Sequence, residues 1–205
     1  DVMVSAAGFD PEGKDLVYTW DLDNDGYFET EGQDAWFQAG AETGIYPIAV
    51  QVTDIGGLTA VDTTIVAVYD MAGDFVTGGG WINAPDGKGE FSFDAKYRRN
   101  PYPIATVSYL VESSGLYFTG TGYDWLVVDG GNSWLRGTGA FNGADGYTFL
   151  LSAVDGDDEF GGTGVDYFRI QIWDSSGVLV YDSEPGSVEY AVPVTPLGGG
   201  SITVH

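Results

Sequence analysis

The chain has no cysteine among its 205 residues and only one histidine, His205, at its C-terminal end. The lack of cysteine excludes a disulfide framework, a thiolate nucleophile and thiolate metal ligands. A single histidine at a chain end, where disorder is common, argues against a Ser-His-Asp triad and an imidazole zinc site. Acidic residues occur throughout, so no pair of carboxylates stands out as hydrolytic. The sequence therefore indicates a protein that is not an enzyme.

Basic residues are also scarce. Lys and Arg together number 7 against 31 Asp and Glu, which gives a formal net charge of −24 at pH 7. Binding to nucleic acid or to anionic lipid needs a basic patch that releases counterions, so neither is expected as a partner. No apolar run approaches the roughly 20 residues that cross a bilayer, so direct membrane insertion is not expected. The crowded carboxylates need cations to screen their repulsion, and outside a cell calcium is the obvious candidate.

Helical periodicity is the third absence, since no stretch keeps an apolar i, i+3, i+4, i+7 pattern over three turns. Instead, short alternating runs rich in Val, Ile, Thr, Tyr and Phe recur between clusters of Gly, Asp and Asn. Aromatic residues make up 15% of the chain, which is enough for real cores. The sequence predicts an all-β protein.

Two domains are predicted. Strands at about 45–53 and 58–68 form the closing hairpin of a small β-sandwich within residues 1–70, with a turn at Ile55-Gly-Gly57. The alternation lapses near Tyr69 and a new series of strands begins at Phe75. Eight or nine strands in residues 74–205 predict a larger β-sandwich or jelly-roll-like domain.

Three motifs in the first part resemble the PKD domain, an immunoglobulin-like module of extracellular proteins. They are Phe9-Asp-Pro-Glu-Gly13, Tyr18-Thr-Trp-Asp-Leu-Asp-Asn-Asp-Gly26 and the segment 44–57. The resemblance implies an immunoglobulin-like sandwich. Family members usually carry another strand before the segment that begins here at Val2, so that strand is missing or comes from upstream sequence or another copy. An open strand edge would invite association of copies, including into filaments.

The second part resembles the bacterial post-COAP domain of surface proteins. The resemblance rests on Phe75-Val-Thr-Gly-Gly-Gly-Trp-Ile82, Tyr123-Asp-Trp-Leu-Val-Val128, the segment 164–174 and the ending Gly198-Gly-Gly-Ser-Ile-Thr-Val-His205. It implies a secreted or surface-attached β-domain and brings no catalytic residue or established ligand. An extracellular or cell-surface location is expected for the whole chain.

The sharpest local motif is Asp21-Leu-Asp-Asn-Asp-Gly26. Asp at alternating positions followed by Gly places three carboxylates around one point, as in the first half of an EF-hand calcium loop. The flanking residues are strand-like, which predicts calcium in a loop between strands. The alternative is a solvated acidic turn. The candidate ligands are Asp21, Asp23 and Asp25, with Glu29 or Glu31 closing the shell.

A second acidic cluster lies in the larger domain, with less regular spacing. It is a candidate for a second calcium site, and the alternative is a flexible acidic loop. Its candidate ligands are Asp155, Asp157, Asp158 and Asp166.

The aromatic residues leave two functions open. Trp20 is expected in the core of the first domain. Four other aromatic residues could form a stacking platform for a sugar ring: Trp36, Trp134, Tyr123 and Tyr97. Core or half-buried strand positions are the commoner place for such residues. The leading hypothesis is a calcium-stabilised structural or adhesive module that contacts other domains or copies of the same surface protein. The alternative is a carbohydrate-binding module whose partner is an extracellular polysaccharide.

Overall fold

The computed structural model of this chain describes residues 1–40, 42–73, 75–157, 162 and 164–205. All helical or extended elements in these ranges are β-strands, and none is a helix. The chain divides into two compact units, Asp1–Val68 and Tyr69–His205, here called the smaller and the larger unit. The prediction of an all-β, sandwich-type protein is confirmed.

The smaller unit has two antiparallel sheets. One pairs β1 with β4, and the other has the order β3-β2-β5-β6. Strand β3 has two residues, too few to show an alternating pattern in the sequence. The strands are β1 (Val2–Ser5), β2 (Leu16–Asp21), β3 (Thr30–Glu31), β4 (Asp34–Phe37), β5 (Gly44–Asp54) and β6 (Thr59–Val68).

The core of the smaller unit lies between these sheets. Trp20, Ile48 and Val66 of the four-stranded sheet pack with Ala35 and Phe37 of β4. The side chain of Trp20 is 2% exposed, and its Nε1 donates a hydrogen bond to the carbonyl of Gly32 at 2.8 Å. The expected core position of Trp20 is therefore confirmed. The bond satisfies the one polar atom of the indole ring, which would be costly to bury unpaired.

The larger unit contains a single nine-stranded antiparallel sheet with the order β14-β13-β12-β11-β10-β9-β8-β7-β15. Strand β15 returns to the start of β13, where Tyr167 forms a bridge with Pro196. The two faces around the core are therefore parts of one curled sheet. The strands are β7 (Val76–Ala84), β8 (Gly87–Lys96), β9 (Ile104–Val111), β10 (Leu116–Asp129), β11 (Asn132–Phe141), β12 (Ala144–Val154), β13 (Tyr167–Trp173), β14 (Leu179–Asp182) and β15 (Leu197–Val204).

Aromatic rings join the opposite parts of the curled sheet. The rings of Phe91 on β8 and Phe168 on β13 are stacked with centroids 3.9 Å apart, and Tyr109 on β9 lies 6.1 Å from Phe168. All three side chains are buried. Because β8 and β13 are far apart in the sheet order, these contacts close the core across the curl.

The two triglycine runs pair with each other where β7 meets β15. Gly80 lies opposite Gly200, and a Cβ at Gly80 would lie 2.2 Å from the carbonyl oxygen of Gly199. A Cβ at Gly198 would overlap the ring of Trp81. The runs therefore permit a close backbone approach.

None of the described residues belongs to a helix that is long and apolar enough to cross a membrane.

Candidate metal site

The loop that follows β2 folds back on the carboxylate of Asp21. Asp21 is the last residue of β2, pairs with Ala49 of β5 and is 3% exposed. Its Oδ1 accepts a hydrogen bond from the backbone amide of Asp25 at 3.2 Å, and its Oδ2 accepts one from Gly26 at 2.9 Å. Asn24 and Gly26 take positive φ angles of 58° and 92°, which let the chain reverse within a few residues.

This loop brings three carboxylates together. One carboxylate oxygen from each of Asp21, Asp23 and Asp25 lies within 4.8 Å of the others. Asp21 is buried, whereas Asp23 and Asp25 are exposed. Calcium binds six to eight oxygen ligands and would cancel the mutual repulsion of these groups. Among the described residues this is the one group of three acidic, His or Cys side chains arranged so that it could hold a metal ion.

The two glutamates predicted to close the shell are not part of this group. Glu29 and Glu31 are both exposed, and Glu31 lies in β3 opposite Thr19 of β2. A bound calcium ion would take its further ligands from water or backbone carbonyl groups, as calcium sites commonly do.

In the second acidic cluster, the carboxylates of Asp155 and Asp166 accept hydrogen bonds from backbone amides. Asp155 accepts hydrogen bonds from the amides of Asp157 and Val204, each at 3.0 Å. Asp166 accepts them from Gly156 at 3.0 Å and from Ile202 at 2.8 Å. These bonds fasten β15 to the connection between β12 and β13. Asp158 lies outside the described residues, so the second calcium site stays a prediction.

The four rings proposed as a sugar platform differ in exposure. Trp36 on β4 is 62% exposed, whereas Trp134 is 6% exposed. The hydroxyl groups of Tyr97 and Tyr123 donate to the backbone carbonyls of Leu126 and Gly120. Of the four, Trp36 presents the most accessible surface to a ligand.

A partly buried hydrogen-bond chain in the larger unit was not apparent from the sequence. The hydroxyl of Tyr181 donates to Oδ1 of Asp86 at 3.0 Å and lies 2.9 Å from the hydroxyl of Tyr109, which therefore donates to it. Ser114 donates to the other oxygen of Asp86. Burial raises the pKa of Tyr109 from 10.0 to about 12, and the charge of Asp86 adds to the rise. Burial likewise raises the pKa of Tyr181.

The larger unit should accordingly lose stability in alkali. Tyrosines in the unfolded chain ionise near the usual pKa of 10.0, whereas folded Tyr109 keeps its proton to about 12. Protonated Tyr109 thus contributes stability that is fully present below pH 10 and is lost as the pH rises towards 12. Denaturant unfolding at increasing pH, with tyrosinate absorbance, measures this effect. Tyr109→Phe should flatten the decline, and an equally steep decline in that variant would refute the assignment.

Comparison with known proteins gives no relative for this chain, because no family model, curated protein or solved structure matches it. The resemblances to PKD and post-COAP domains therefore stay predictions from the motifs.

Proposed function

We propose that this chain is a non-enzymatic, calcium-stabilised structural or adhesive module of a secreted or cell-surface bacterial protein. The observation that carries the proposal is the group formed by Asp21, Asp23 and Asp25, with Asp21 buried at the end of a core strand. A cation bound here would stabilise the loop itself, because the carboxylate of Asp21 also accepts hydrogen bonds from the loop amides of Asp25 and Gly26.

Calcium would stabilise the smaller unit by binding the folded arrangement of the loop. Asp21 and Trp20 are neighbours in β2, and Trp20 is part of the core of this unit. A bound cation would compensate the three negative charges and keep the loop closed at the end of β2. Without a cation, repulsion between the three carboxylates favours opening of the loop. In the unfolded chain the carboxylates are not brought together, so calcium favours the folded state.

A role in assembly fits the rest of the molecule. The motifs that resemble PKD and post-COAP domains favour an extracellular stalk or anchor, and the net charge of −24 disfavours nucleic acid and anionic membranes. The partners would be other domains or copies of the same surface protein, and association of copies into filaments stays part of the hypothesis.

Carbohydrate binding is the second candidate, and the exposure of Trp36 favours it. A ring that is 62% exposed on β4 can stack on the apolar face of a sugar. A glycan array separates the two functions. Binding that Trp36→Ala abolishes would support a carbohydrate module, whereas an array without specific binding favours the structural role.

The proposed calcium site is tested by titrating calcium into metal-free protein in a calorimeter. We expect saturable binding with at least one ion per chain, and weaker binding of magnesium, which demands octahedral geometry and gives up its water reluctantly. Binding no stronger than that of exposed carboxylates on a scrambled peptide of residues 15–32 would contradict the proposal.

A further inference from the structure

An open slot lies between the two sheets of the smaller unit. It consists of two adjoining cavities of about 340 Å³ and about 310 Å³, which share Ala7, Val52 and Asp62 in their walls. The residues after β1 form one wall, the first half of β6 forms the other, and Ile48 and Val50 line the floor. The slot therefore reaches the side chains of the core.

Strand β6 borders this slot on one side, and the end of β1, at Ser5, borders it on the other. Strand β6 is the last strand of its sheet and pairs with β5, while β1 pairs with β4 in a sheet of two strands. Within the described ranges neither strand has a second partner. Unpaired amide and carbonyl groups on a strand edge are a template for another extended strand.

The inner face of β6 is uncovered along the slot. Side chains of a strand alternate between its faces, so Ala60, Asp62 and Thr64 point to the same side as Val66. Val66 is buried at 7% exposure, but all residues from 59 to 64 are exposed. In a complete sandwich these alternate positions would face the opposite sheet and be covered. The slot therefore lies where one more short strand would complete the sandwich, and it is long enough to hold that strand.

The negative charge of Asp62 restricts which kind of strand could bind in the slot. It lines both cavities, and its carboxylate accepts a hydrogen bond from the neighbouring amide of Thr63. Asp10 and Asp54 line the same slot, while no Lys or Arg does. Among the described residues, no cation lies within ion-pair distance of Asp62. An entirely apolar strand would bury this carboxylate unpaired at a large cost, whereas a Lys or Arg facing it would form an ion pair.

We propose that the slot binds an extended polypeptide strand that carries an inward-facing Lys or Arg between apolar side chains. A second copy of this chain is a poor occupant of the slot, because the strands described in each copy are already paired in their own sheets. The inference rests on the proposed structural role for the kind of partner, a protein segment. It does not depend on calcium.

A pair of synthetic peptides tests the proposal. Acetyl-Thr-Val-Thr-Lys-Thr-Val-Thr-amide is titrated into the full chain by NMR, and the matched peptide has Glu in place of Lys. We expect the Lys peptide to bind at least about tenfold more tightly, which is about 1.4 kcal/mol. The largest shift changes should occur at residues 5–7 and 59–64. Both titrations are repeated in calcium and in chelator, so that failure of the metal site and failure of the slot are distinguishable.

A charge reversal provides the control for Asp62. In Asp62→Lys the Glu peptide should become the tighter ligand, and Asp62→Asn should weaken the preference for the Lys peptide. Asp124→Lys, at an exposed acid on β10 of the larger unit, should leave the original preference unchanged. Equal affinities for both peptides, or shift changes away from the slot, would overturn the proposal. Association of the chain alone that protects the amides of 59–64 would show that a second copy is the occupant instead.

Discussion

Arg169→Met is expected to lower the free energy of unfolding of the larger unit by about 3–5 kcal/mol, the cost of leaving a buried charge without its partner. Arg169 is fully buried on β13. Its Nε and Nη2 donate to the two carboxylate oxygens of Asp182 at 3.0 and 2.7 Å. Nη1 donates to the carbonyl of Val188 at 2.7 Å, and Nη2 also donates to that of Ser187 at 3.0 Å.

The loss should be large because one guanidinium serves two functions. It neutralises Asp182, whose side chain is 8% exposed, and it holds the irregular segment after β14 against the sheet. Methionine fills a similar volume but satisfies neither the carboxylate nor the carbonyl groups. Denaturant unfolding measures the change.

Arg136→Met is the matched control. Arg136 pairs with Glu189 at 2.9 Å, but the two side chains are 26% and 43% exposed, so water can replace the lost partner. Its guanidinium also lies 4.6 Å from the ring centroid of Trp173. The expected loss is about 1 kcal/mol. Equal losses in the two variants would mean that burial of the Arg169 pair has no special role.

Removal of calcium is expected to have the next largest effect, and it should act on the smaller unit. At a hundredfold excess over its dissociation constant, a ligand that binds only the folded state stabilises it by about 2.7 kcal/mol. For a unit of 68 residues, this corresponds to a melting temperature that is roughly 10–20 °C lower in chelator than in calcium. Scanning calorimetry in calcium and in chelator measures it. Magnesium should restore less of the loss than calcium.

The sequence was most informative for strands whose side chains alternate between buried and more exposed positions, such as β4, β8 and β9. Strand β8 is an example, since Gly89, Phe91, Phe93 and Ala95 are buried while the residues between them are more exposed. The pairing of the two triglycine runs with each other could not be predicted, because a glycine run does not specify its partner. The curl of the sheet depends on contacts between distant strands, such as that of Phe91 with Phe168, and no local pattern encodes those contacts.

The candidate site was predictable in part because some of its residues are close together in the sequence. Asp21, Asp23 and Asp25 are close in sequence, so a single turn brings them together, and their spacing was enough to predict the group. Asp155 and Asp166 form their bonds with Val204 and Ile202, which come much later in the chain. The burial of Arg169 likewise depends on the segment after β14, and an arginine is usually exposed. Such pairings follow from tertiary structure and leave no local signal.

The most direct test of the account is the calcium dependence of the Asp23→Ala variant. Asp23 is exposed, so its loss removes one candidate ligand and does not open the core. Asp34→Ala, at an exposed aspartate of β4 in the same unit, is the control. Melting temperatures are measured for both variants and the parent chain, each in calcium and in chelator. We predict that Asp23→Ala loses most of the difference between the two conditions and that Asp34→Ala keeps it. A difference that persists undiminished in Asp23→Ala, or is absent from the parent chain, would contradict the account.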